Sequence, residues 1–118
     1  MIFDAGAFIA LDKRSKRRIV LAIVEQLRDQ GEPLRTTSPV LAQAWRDPAR
    51  QAAMARLART MDVLPFGDSK TIGLRCGDAG TNDVVDADLA IWADVLVDTI
   101  LTTDPRDLTK LHAKHVVL

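Results

Sequence analysis

Cysteine, histidine and long apolar runs are nearly absent from this chain. Its 118 residues contain one cysteine, Cys76, and two histidines. A lone cysteine excludes an internal disulfide and fits a reducing compartment, so the cytoplasm is expected. His112 and His115 have no other zinc ligands near them in sequence, which speaks against zinc and makes both surface residues. No apolar stretch is long enough to span a bilayer. The apolar start Met1–Leu11 is broken by Asp4 and has no basic residue ahead of it, which argues against a secretory signal. Internal repeats and low-complexity linkers are also lacking. Length predicts a single domain over 1–118. A hydrophobic content of 47% supplies a real core and argues against disorder.

Net charge is zero, yet the halves differ. Residues 1–59 hold 11 Lys/Arg against 6 Asp/Glu, and residues 60–118 hold 5 against 10. A basic flank beside an acidic centre suits a protein that attracts a polyanion and holds a cation. The plainer reading is an uneven solvated surface.

Short apolar runs alternate with helical periodicity. Strands are predicted at Met1–Phe3, Leu34–Thr37, Val63–Phe66, Thr99–Thr102 and His115–Leu118. Between them fall a short helix Ala7–Leu11 and an amphipathic helix with Ile19, Val20, Ile23, Val24 and Leu27 on one face, ended by Gly31. Ser38-Pro39 and Asp47-Pro48 each read as a helix start. The second of these helices carries Met54, Leu57, Ala58 and Met61. Asp68 and Ser69 open a helix to about Ala79, Asp83 one to about Leu96, and Asp104 a short one to Leu111. Five strands alternating with helices predict an α/β fold with a central parallel sheet and helices on both faces.

Three separated segments place aspartates at the ends of apolar runs: Ile2-Phe3-Asp4, Asp83-Val-Val-Asp86 and Leu101-Thr-Thr-Asp104. In open parallel sheets the loops at the strands' carboxyl ends share one edge, where ligands bind. Carboxylates gathered there repel one another unless a cation lies between them, and hard divalent metals prefer oxygen. Asp4, between strand and helix, reads as a metal or catalytic group. Asp83 and Asp86 lie on one helix face, where they equally suit an N-cap and a capping box. Asp104, with Asp107 three residues on, also reads both as a cap and as a site residue. Asp88 turns about 200° from Asp86 and faces away.

Together these motifs resemble those of the PIN-domain family. Asp4-Ala-Gly-Ala-Phe-Ile-Ala-Leu is similar to its opening, Val40-Leu-Ala-Gln43-Ala-Trp45-Arg46 to its second motif, and the Asp83–Ala93 and Thr102–Leu108 segments to its third and fourth. The pattern covers the whole chain and is most similar to VapC-type toxins. The resemblance implies a three-layer α/β/α fold and a Mg²⁺-dependent ribonuclease, with Mn²⁺ as a substitute. It implies catalytic and metal-binding roles for Asp4, Asp86 and Asp104, with Asp83 as a further ligand, and substrate contacts from Gln43, Arg46 and Asp107. It also implies an RNA substrate, a small antitoxin partner and a homodimer. The Met54, Leu57 and Met61 stripe points to a homodimer as well, as an apolar face in need of cover.

Gln43 departs from the pattern, because the family's second motif ends in glutamate. An amide offers oxygen without charge, which weakens the case for a second metal. Two rival functions follow. One is a PIN-like RNA-binding or partner-binding protein without activity, marked by Gln43. The other is a signalling receiver domain, disfavoured because Asp4 stands alone and no lysine follows the fifth strand.

Overall fold

The computed structural model describes residues 1–118. Twelve elements follow in chain order. Strand β1 (Ile2–Phe3) leads into helices α1 (Ala5–Ala10) and α2 (Arg14–Asp29). Strand β2 (Arg35–Thr37) leads into α3 (Ser38–Ala44) and α4 (Ala52–Ala58). Strand β3 (Asp62–Leu64) leads into α5 (Ser69–Ala79) and α6 (Val84–Leu96), and β4 (Ile100–Thr102) is joined by α7 (Arg106–Lys110) to β5 (His115–Val117).

All strand pairs are parallel and the order is β3-β2-β1-β4-β5. The chain moves outward from β1 to β3, then returns to build β4 and β5 on the other side of β1. Right-handed crossovers therefore put α1–α4 on one face and α5–α7 on the other. Packing agrees with this split, since α1 lies against α2 and α3, and α6 against α5 and α7. The result is the expected three-layer α/β/α sandwich.

The sheet centre is apolar because both faces are covered. Ile2, Phe3, Ile100 and Leu101 are buried, and Phe3 and Phe8 meet with ring centroids 5.9 Å apart. At the amino edge of the sheet, Asp98 ties three strands together. It pairs with the Met1 ammonium at 2.8 Å and Arg35 at 2.7 Å, so its burial cost is outweighed and its carboxyl is held below the usual range.

Three sequence expectations shift. Asp47-Pro48 forms a turn rather than a helix start, and α4 begins only after Gln51. That buried glutamine bonds the Arg46 and Asp47 N–H groups at 2.8 and 2.9 Å and the Ala44 carbonyl at 2.8 Å, so a side chain stabilises the loop where a helix was expected. Thr37, not Ser38, caps α3. Met54, Leu57 and Met61 are buried within the single chain, so this stripe leaves no open face.

Candidate metal centre

Strand order reverses between β1 and β4, and the segments leaving their carboxyl ends border the same cleft. It measures about 300 Å³ and is lined by Asp4, Ala5, Gly6, Ile9, Gln43, Asp83, Asp86, Thr103, Asp104 and Asp107. Such a switch point is where open α/β sheets bind ligands.

Asp4 ends β1 and is 7% exposed. Its Oδ1 accepts the Ala7 N–H at 2.9 Å, making it the N-cap of α1. Burial pushes its carboxyl above the usual range. Gly6 lets the β4–α7 loop approach, since a Cβ there would overlap the Thr103 hydroxyl and crowd Asp4.

Asp83 caps α6 by accepting the Asp86 N–H at 3.0 Å. Asp86 then sits in the first turn, where helix geometry turns it into the cleft. Thr81 links this turn to α7, accepting the Asp83 N–H at 3.1 Å and donating to Asp107 Oδ1 at 3.2 Å. As a result, carboxylate oxygens of Asp83, Asp86 and Asp107 all lie within 4.8 Å of one another. Burial, then the charges of Asp83, Asp4, Asp107 and Asp104, push the Asp86 carboxyl up to about 7.

That crowding is the test of whether a cation fits. Several carboxylates face one cleft with no Lys, Arg or His among its lining residues. All donors are hard oxygens, and the group of Asp83, Asp86 and Asp107 could hold a metal ion.

The expected ligands, Asp4, Asp86 and Asp104 with Asp83 as a further one, all line the cleft, and its tightest group keeps Asp83 and Asp86 and adds Asp107. Asp104 does reach the cleft, but its carboxylate is 54% exposed and gripped by Arg106, which holds it down at about 2. Asp107, expected at the substrate, belongs instead to the tight carboxylate group. Gln43 lines the cleft as expected and makes no hydrogen bond to its acids. Arg46 does not line it: its guanidinium bonds the Ala42 and Trp45 carbonyls at 3.0 and 2.6 Å, finishing α3.

Asp88 faces away from Asp86, as helical spacing requires. It is fully buried, accepts the Gly67 N–H at 3.0 Å, and leaves Oδ2 without a partner. Sequence reading missed its role in holding the loop before α5. It also missed Thr81, whose bridging position depends on tertiary structure. Cys76 is buried and His112 exposed, both apart from the cleft.

No family model and no curated protein matches the chain. Among solved structures it is similar to the crystal structure of PAE2754 from Pyrobaculum aerophilum. The two share 16% identity at a TM-score of 0.70, over 96% of this chain and 86% of that one. The likeness is one of fold. The cleft must carry the functional argument alone.

Proposed function

We propose that this protein is a divalent-metal-dependent endoribonuclease, the toxin of a bacterial toxin–antitoxin pair. The observation that carries the reading is the meeting of Asp4, Asp83, Asp86, Asp104 and Asp107 from three separate segments at one switch-point cleft. The order and spacing of the PIN-like motifs add the RNA substrate, which carboxylate chemistry alone does not choose over DNA.

Mg²⁺ is the cofactor proposed, with Mn²⁺ as substitute; when bound it supplies an acidified water and offsets charge on the phosphate and leaving oxygen. Asp83, Asp86 and Asp107 would hold it. Asp4, fixed by the Ala7 N–H and lining the cleft, would orient the attacking water. The proton released in attack goes to a carboxylate, because no His or Lys lines the cleft. Gln43 and Asp104, at the exposed side of the cleft, face incoming substrate.

A small antitoxin carrying an Arg or Lys into this acidic cleft would displace the metal and block the phosphate together. Action in the cytoplasm and a homodimer are parts of the same proposal. Exposed Leu74 and Val95 are candidates for an intersubunit face, in place of the buried Met54 stripe.

The test is purified protein with a pool of structured RNAs, with Mg²⁺ or EDTA, beside Asp4→Asn. Asparagine caps a helix as well as aspartate does, so this variant keeps α1. Cleavage that needs Mg²⁺ and disappears in Asp4→Asn supports the reading; cleavage indifferent to both contradicts it. A second reading, a binding protein without activity, is favoured by neutral Gln43. RNA binding without cleavage in Mg²⁺ or Mn²⁺ would establish that one.

A further inference from the structure

We propose that Arg106 is the group that takes the substrate phosphate at this cleft, exchanging the Asp104 carboxylate for it. The assignment rests on the phosphodiester reading above and names the contact that reading lacks. A phosphodiester is an anion, and the cleft it must enter is lined by five aspartates and no basic side chain. Among all the ion pairs of the chain, only Asp104–Arg106 involves one of those aspartates. Arg106 is therefore the cation that pairs with an aspartate of the cleft.

Its geometry fits the role. The guanidinium meets Asp104 side-on, Nε donating to Oδ1 at 2.9 Å and Nη2 to Oδ2 at 2.7 Å. Two non-bridging phosphate oxygens offer the same fork, and arginine recognises both groups in this way. The pair is also free to open. Arg106 is 84% exposed and Asp104 54%, so water and salt reach the pair and a phosphate can compete for the arginine. Nothing else holds the arginine side chain, whereas Arg35, Arg46 and Arg75 are each committed to Asp98, to α3, or to Asp94 and the Leu111 carbonyl. Once Arg106 swings to a phosphate, Asp104 is released beside the carboxylate group. Substrate entry and completion of the acidic site are thereby coupled.

The experiment is fluorescence anisotropy of a labelled single-stranded RNA on the full chain, with Ca²⁺ replacing Mg²⁺ to suppress cleavage. Arg106→Ala should weaken binding roughly tenfold or more, the usual loss for a charge-assisted fork. It should also lower the slope of log K against log[salt] by about 0.7, one phosphate's share on a single strand. Arg106→Lys, which keeps the charge and loses the fork, should fall between. Both variants fall at one exposed position, so melting curves should stay unchanged and exclude misfolding. Equal affinity and equal salt slope in Arg106→Ala would overturn the assignment. Wild-type protein that binds with this dependence but never cleaves in Mg²⁺ or Mn²⁺ overturns the nuclease reading and supports Arg106. Absence of RNA binding by wild type overturns both.

Discussion

Asp107, in the first turn of α7, brings a carboxylate oxygen within 4.8 Å of both Asp83 and Asp86 at the start of α6. Two helix starts thus face each other across Thr81, which bonds both. Helix N-termini stabilise carboxylates, so the fold tolerates acids here that would repel one another elsewhere. The remaining repulsion appears in Asp86, whose carboxyl stands at about 7.

Stability of the metal-free protein should therefore fall with pH. A carboxyl whose folded value is raised contributes stability that is fully present below its unfolded value, near 3.8, and lost as pH rises through about 7. Buried Asp4 shifts in the same direction. Melting temperatures in EDTA should decline between about pH 4 and 7 and level off above that, and Asp86→Asn should flatten the decline. A rise over that range in the wild type would contradict the assigned crowding.

Gln43→Glu should tighten metal binding. A carboxylate at this position adds Coulomb attraction of about 1 kcal/mol at a water-like dielectric, or roughly fivefold in affinity. Calorimetry with Mn²⁺ would measure it. Unchanged affinity would place position 43 outside the reach of the metal.

Val97 ends α6 with φ 51° in the left-handed region, where a β-branched side chain is strained, and it is 89% exposed. No packing compensates. Val97→Gly should relieve the strain by about 0.5–1 kcal/mol after its entropy cost, raising the melting temperature by a few degrees. A lower melting temperature would mean that Val97 makes a contact that matters in the assembled protein.

Periodicity and strand-end position made most of this fold legible in sequence. Five apolar runs, the proline in the first turn of α3 and the aspartate at the end of β1 each report a local rule. Convergence was harder to read. Asp83/Asp86 and Asp104/Asp107 have the same spacing, so sequence alone does not say which member of each pair turns inward. That depends on where α7 starts: the helix begins at Arg106, which puts Asp107 in its first turn facing α6 and leaves Asp104 in the preceding loop, paired with the Arg106 side chain. The Asp47-Pro48 signal failed for a similar reason, since Gln51 supplies from outside the local pattern the hydrogen bonds a helix start would have made.

The proposed occupant of the cleft is one divalent cation on Asp83, Asp86 and Asp107. Its most direct test is Mn²⁺ titration by calorimetry at pH 8, comparing wild type with an Asp86→Asn, Asp107→Asn double variant. A single site is expected in the wild type and none in the variant, with stabilisation of about 2.7 kcal/mol at a hundredfold excess over Kd, a melting shift on the order of 10 °C. Equal Mn²⁺ affinity in the two proteins would contradict it.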